Sequence, residues 1–256
     1  PIIGIGVGAP GLMNLKEGIV VQAVNFDWEN LPLANILNAR YNLPVSVLND
    51  SQASAIGEFF YGMGHKPNEN LIVVNVKEGT SAGILINGKL FQGDGGGAGE
   101  IGHVVVQQNG IFCRCGKRGC LETLTGTKAI LRRAKILAPE AKNSILPKES
   151  EKISLDLIRD AFLAKDALAQ ELVFEASHYL GSSIANLVGI LNIQKIVLTG
   201  EMTRFGDAWL QSVRDSMHKS SFNKLSQNTT VELGKTELQG CILGASASML
   251  INDYSL

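Results

Sequence analysis

The chain has 256 residues, enough to bury a sizeable core as one domain or as two lobes. Its 45% apolar and 18% charged residues and formal net charge of −1 describe an ordinary soluble protein, without the basic excess of a nucleic-acid surface, an acidic tail or a block of like charges. No apolar run approaches ~18 residues and no signal peptide is evident, so the expectation is a cytoplasmic chain with no membrane partner.

The first residues, Pro1-Ile2-Ile3-Gly4-Ile5-Gly6-Val7-Gly8, lie inside an apolar strand and lack a methionine. The expectation is a fragment whose upstream part is missing. Residues 2–8 read as a buried strand turning at Ala9-Pro10-Gly11, and Val20 to Val24 as a second short strand. Asn25 to Asn30 reads as a polar-aromatic loop, with Asn30 as N-cap and Pro32 in the first turn of a helix to about Tyr41. Pro44 to Leu48 is a strand ending at Asn49-Asp50, and Ser51 to Tyr61 is a helix burying Ala53, Ile56, Phe59 and Phe60. An Asn-Asp pair at a strand's C-terminal end is where α/β folds present site residues; the alternative is that Asp50 or Ser51 only caps the helix.

Gly62 to Asn70 is polar and reads as a hinge between lobes. Leu71–Val76 and Ser81–Ile86 are strands flanking Lys77-Glu78-Gly79-Thr80, and Asn87-Gly88 is a hairpin signal leading to Lys89-Leu90-Phe91. Helical patterns cover about Thr127–Leu137, Leu155–Leu163, Ala167–Leu191 and Asp207–Met217, with a final helix over Cys241–Leu250. Ala138 to Lys152, charged and carrying two prolines, reads as a surface excursion. Lys195–Thr199 is a strand turning at Gly200-Glu201, and Thr230–Leu233 an edge strand. Strands followed by helix in both halves point to an α/β protein with two lobes and a cleft between them.

Three of the four cysteines and one of the four histidines fall within His103, Cys113, Cys115 and Cys120. Thiolate and imidazole donors this close suit a tetrahedral Zn²⁺ site, and Gly110, Gly116 and Gly119 supply the tight turns that such a loop needs. The alternative is inert buried cysteines beside a catalytic or core histidine. Clustered cysteines with a distant Cys241 suit metal binding in a reducing compartment better than a disulfide framework.

Gly99-Glu100-Ile101-Gly102-His103, followed by Cys113 through Glu122, resembles the signature of the ROK family of repressors, open reading frames and kinases. Gly6 to Gly11, Asn49-Asp50 with Gly57-Glu58, and Gly83 to Leu90 extend the resemblance over essentially the whole chain. It implies an actin-like, ribonuclease-H-like (ASKHA) two-lobed fold with a zinc-stapled loop. The smaller lobe would comprise residues 1–67 plus 240–256, and the larger lobe residues 68–239, carrying the zinc site and dimerisation helices. It further implies zinc held by His103, Cys113, Cys115 and Cys120, and a monosaccharide site using Asn49, Asp50, Glu100, His103 and Glu122. One His103 ring nitrogen can ligate zinc while the other faces a sugar hydroxyl.

Family kinases bind ATP with glycine-rich loops, and two of these positions depart from the kinase pattern here. Glu78, before Gly79, stands where kinases have threonine, and Gly200-Glu201-Met202-Thr203 replaces a run of glycines. A like-charge pair at ~4 Å and an effective dielectric near 20 costs about 4 kcal/mol, so ATP is expected to bind poorly unless magnesium or a lysine such as Lys77 compensates; the alternative is that both glutamates point to solvent and tolerate nucleotide. These variants resemble the repressor branch, in which an upstream helix-turn-helix binds DNA and this part, as a homodimer or homotetramer, senses a sugar. The alternative is an ATP- and magnesium-dependent sugar kinase with Asp50 as general base.

Overall fold

The computed structural model describes residues 2–24, 26–62 and 68–254. The chain enters through β1 (Ile5–Ala9), β2 (Leu12–Asn14), β3 (Ile19–Ala23) and β4 (Trp28–Leu31), followed by α1 (Leu33–Tyr41), β5 (Val45–Asn49) and α2 (Asp50–Gly57). A π-helical turn over Glu58–Gly62 ends α2. β1 and β5 pair in parallel, and β2, β3 and β4 form an antiparallel meander.

β6 (Leu71–Val76), β7 (Thr80–Ile86) and β8 (Lys89–Leu90) follow, then a long loop to α3 (Glu122–Thr125) and α4 (Thr127–Leu137). α5 (Leu155–Leu163), α6 (Ala167–Leu191), β9 (Lys195–Thr199), α7 (Gly206–Ser220), α8 (Asn223–Ser226), β10 (Thr230–Leu233) and α9 (Gly240–Tyr254) complete the described chain. The larger sheet has the order β10-β9-β6-β7-β8, with β10, β9 and β6 parallel and β7 and β8 antiparallel.

β6 is buried along its whole length because both of its faces are covered, as its apolar run, broken only by Asn75, suggests. Period-2 alternation divides its side chains. Ile72, Val74 and Val76 join Ile130, Ile158, Leu172 and Trp209 of the helical layer, whereas Leu71 and Val73 meet Ala55 and Phe59 on the opposite face. α2 thus lies between the larger sheet and α9, whose Ala245 and Ala247 pack on Ala53 and Ile56. Among the described residues no helix is long and apolar enough to cross a membrane.

Several local expectations change. Asn30 does not cap α1; it sits at the end of β4 with φ +48°, and α1 starts after Pro32 without a side-chain cap. β2 and β4 are specified by pairing with β3 rather than by local alternation, which is why a loop was the sequence expectation at 25–30. Asn25 and residues 63–67 of the expected hinge lie outside the described residues.

The segment 138–152 is not a free excursion. Ala138, Leu146 and Ile153 are buried in the main core, and the Asp166 carboxylate that caps α6 accepts from Ala169 N, Ile145 N and Ser144 Oγ at 2.8–3.1 Å. Two apolar anchors among charged residues leave no periodic signal, so only packing reveals them. Burial works to raise the Asp166 pKa, but the hydrogen bonds from Ala169, Ile145 and Ser144 outweigh it and hold the carboxyl below its usual value. Asp166→Ala is expected to cost about 1–2 kcal/mol at pH 7 in denaturant unfolding. Because the folded pKa is depressed, that cost is present above the ordinary carboxylate pKa and shrinks as pH falls below about 4.

Candidate functional site

Asn49, at the end of β5, is 5% exposed and makes four hydrogen bonds that join separate segments. Its Oδ1 accepts from Ser51 N at 2.9 Å and Gln52 N at 3.3 Å, which makes Asn49, not Asp50 or Ser51, the N-cap of α2. Its Nδ2 donates to Gly11 O at 2.9 Å and to Glu100 Oε1 at 3.4 Å. With Asn49 taking the cap, Asp50 is left to face a cleft of about 470 Å³. Burial pushes the Asp50 carboxyl up, and Lys77 partly opposes that shift.

Asp50, Asn49, Glu100, His103 and Glu122 all line this one cleft. The loop carrying Glu100 can lie on β7 because residue 99 is glycine, with φ +97° and a Cβ position that overlaps Ala82 O. Burial raises the Glu100 carboxyl, against the opposing pull of His103. Glu122 opens α3, and its Oε1 accepts from Cys113 Sγ at 3.1 Å. The sequence reading overlooked Phe26, which also lines the cleft and is 55% exposed against Trp28, ring centroids 5.2 Å apart. Its signal was its place in the polar-aromatic loop.

His103 stands between cleft and cysteines. Nδ1 is 3.6 Å from Cys113 Sγ, while Nε2 is 3.9 Å from Glu100 Oε2. Cys115 Sγ and Cys120 Sγ are 3.6 Å apart, and the donor atoms of His103, Cys113, Cys115 and Cys120 all lie within 4.8 Å of one another. A tetrahedron with bonds of ~2.3 Å to sulfur and ~2.0 Å to nitrogen has edges of roughly 3.8 and 3.5 Å, so the four donors are spaced to hold such a metal. At this separation Cys115 and Cys120 are free thiols rather than a disulfide, as are Cys113 and Cys241. Burial pushes the Cys113 and Cys120 thiols up, a cost that a bound cation reverses. Gly119, at φ +75° and with its Cβ position overlapping Gln107 O, lets the loop fold back on itself.

The two carboxylates expected to disfavour nucleotide both turn to the first turn of α4. Glu78 is 63% exposed and paired with Lys128 Nζ, so its compensating lysine is Lys128 rather than Lys77. Glu201 Oε2, in the turn that follows Gly200, accepts from Thr127 Oγ1 at 3.4 Å, and Thr127 N donates to Lys77 O at 2.8 Å. Lys77, Glu78, Gly79 and Lys128 line the same cleft as Asp50 and Glu122, whereas Glu201 is not among its lining residues.

A sheet-and-helix framework with an acidic cleft beside a Cys3His cluster places the chain among the α/β, sugar-kinase-like folds of the ASKHA class. Residues 1–252 match the ROK family, and the chain belongs to that family. It is 33% identical to the xylose repressor of Caldicellulosiruptor bescii over 254 residues, which are 98% of the chain and 63% of that repressor. It is 38% identical to the glucokinase of Halalkalibacterium halodurans over 217 residues, 83% of the chain and 66% of that enzyme. The chain thus spans just under two thirds of either relative. Its structure superposes with a TM-score of 0.89 on the ROK family glucokinase from Streptomyces griseus in complex with glucose and AMPPNP, at 27% identity and covering 97% of this chain and 81% of that one.

Asp50 supplies a direct test of the site's electrostatics. Its folded-state pKa is raised, so its carboxylate subtracts stability as pH rises above the ordinary value of about 3.9. Asp50→Asn is expected to unfold at a higher temperature than wild type at pH 7, with the difference vanishing below about pH 4 in thermal scans.

Proposed function

We propose that the chain is the sugar-sensing effector part of a ROK-type transcriptional regulator. A monosaccharide in the cleft would control DNA binding by a helix-turn-helix elsewhere in the whole protein. The convergence of Asp50, Glu100, His103 and Glu122 on one cleft carries this reading. Carboxylates accept strongly from the adjacent hydroxyls of a sugar, and Phe26 offers an apolar face at the rim. Residues 1–67 plus 240–256 would form one lobe and 68–239 the other, closing on the ligand and shifting the attached DNA-binding domains. Val104, Ile190 and Phe222, each more than half exposed around a groove at the end of α6, support assembly of homodimers or homotetramers through the larger lobe.

The regulator reading is favoured over catalysis by Glu78, whose carboxylate lines the cleft, and by Glu201, which accepts from Thr127 in the first turn of α4, since neither suits the receipt of phosphates. Pairing of Glu78 with Lys128 and its exposure weaken the repulsion. The second reading, a sugar kinase, rests on Asp50, whose raised pKa and place in the cleft suit a general base taking a proton from the attacking hydroxyl.

For the metal we propose zinc on His103, Cys113, Cys115 and Cys120. Four protein donors leave no open position, so the ion would be structural. It would fix the imidazole through Nδ1 and leave Nε2 directed at Glu100 and the cleft.

Calorimetric titration with glucose, xylose and N-acetylglucosamine is expected to show binding of one of them, weakened about tenfold or more by Glu100→Gln. Coupled assays with ATP and the same sugars are expected to show no phosphoryl transfer; turnover would instead establish the kinase reading. Metal analysis is expected to find about one zinc per chain, lost together with thermal stability in Cys113→Ser. Full stability without metal would remove the structural-zinc assignment.

A further inference from the structure

Glu58 is the one wholly buried acidic side chain among the described residues to which the cleft gives no role, with 0% exposure. It begins the π-helical turn that ends α2, a local geometry that recurs at functional positions. No cation pairs with it among the described residues. Its carboxylate is instead held by the turn that follows β10: Oε1 accepts from Thr236 N at 2.8 Å and from Thr236 Oγ1, and Oε2 accepts from Lys235 N at 3.1 Å. Space for the carboxylate depends on two glycines, since a methyl at Gly62 or Gly234 would overlap it. The turn is itself fastened to the larger sheet, because Gly234 N donates to Leu198 O at 2.8 Å.

We propose that Glu58 is a positioning residue for the cleft, acting through α2 on Asn49 and Asp50; the proposal deepens the sugar-binding reading and rests on it. α2 is gripped sideways by α9 on one flank and by β6 and β7 on the other. Apolar contacts of that kind resist separation but permit sliding and rotation about the helix axis. Those two motions are opposed near the start of the helix by the Asn49 cap, the Ser51 Oγ–Ser81 Oγ hydrogen bond and Gln52 Nε2 donating to Gly96 O at 3.0 Å, and at the other end, about 12 Å away, by Glu58. Through the turn at 234–236, Glu58 references α2 to the larger sheet and so sets the height of Asp50 against Glu100 and the Lys77–Ser81 turn. A buried carboxylate satisfied by backbone donors suits this task, because moving α2 would strand the charge without partners.

The test compares wild type with Glu58→Gln, Thr236→Val and Thr236→Ser, by amide hydrogen exchange and by titration with glucose, xylose and N-acetylglucosamine. In Glu58→Gln one side-chain N–H₂ is set against a backbone N–H, so the clamp is half lost. Exchange at Ser51 and Gln52, the amides bound by the Asn49 cap, is expected to quicken about tenfold while β6 and β9 keep their protection. Affinity for whichever probe wild type binds is expected to fall about tenfold with metal content unchanged. Thr236→Val should show a smaller change of the same kind, and Thr236→Ser, which keeps the hydroxyl donor, should match wild type. Unchanged exchange at Ser51 and Gln52 in folded Glu58→Gln would overturn the proposal, as would protection lost equally from β6 and β9. If Glu58→Gln does not fold, Thr236→Val decides by the same criterion. Wild type binding none of the three sugars would count against the sugar reading alone, since the exchange comparison still decides the clamp.

Discussion

The buried carboxamide of Asn49 is where three separate parts of the chain are tied together. Its oxygen closes the first turn of α2, and its nitrogen reaches the Gly11 carbonyl after β1 and the Glu100 carboxylate from the long loop after β8. An amide can do this because it carries both donors and an acceptor; an aspartate there could cap the helix but would repel Glu100 and leave Gly11 O without its donor. With the cap provided from position 49, the carboxylate of Asp50 is freed for the cleft. Replacing the amide would disturb the helix start, the strand turn and the acidic loop at once.

His103 plays the corresponding part on the other wall. One ring nitrogen stands among the thiols and the other faces Glu100, so the imidazole joins the Cys3His cluster to the cleft. Glu122 is similarly placed, touching Cys113 with one oxygen while lining the cleft. The cluster and the acidic site therefore share residues. A disturbance of the cysteine loop would be felt by groups that line the cleft.

The first turn of α4 gathers the two carboxylates, Glu78 and Glu201, that depart from the kinase pattern. Thr127 and Lys128 receive Glu201 and Glu78, while the backbone of Thr127 is bonded to Lys77. Both carboxylates are thus already engaged with donors of α4, and of these two pairs Glu78 and Lys128 line the cleft. Because α4 follows directly from α3, and α3 begins with Glu122, the same few residues connect this turn to the acidic centre of the cleft.

Much of this protein is written in local chemistry. The continuous Leu71–Val76 run, the long period-3.6 stripe of Ala167–Leu191 and the Asn87-Gly88 hairpin specify their own elements, because hydrophobic period and turn propensity act over a few residues. The spacing of His103, Cys113, Cys115 and Cys120 likewise announced a donor cluster. Other features needed the assembled fold. β2 and β4 exist because β3 is there to pair with them, and the backbone beside buried Leu146 is held by the capping carboxylate of Asp166, which accepts from Ile145 N 21 positions away. The choice of Asn49 over Asp50 as cap, the pairing of Glu78 with Lys128, and the Thr236 clamp on Glu58 join residues up to 178 positions apart. Such contacts leave no periodic trace, since they are set by which surfaces the packed layers bring together. Residue type alone could name the acidic groups and the Cys/His donors, whereas the division of the polar groups into helix cap, cleft-lining carboxylate and buried carboxylate was decided by tertiary contact.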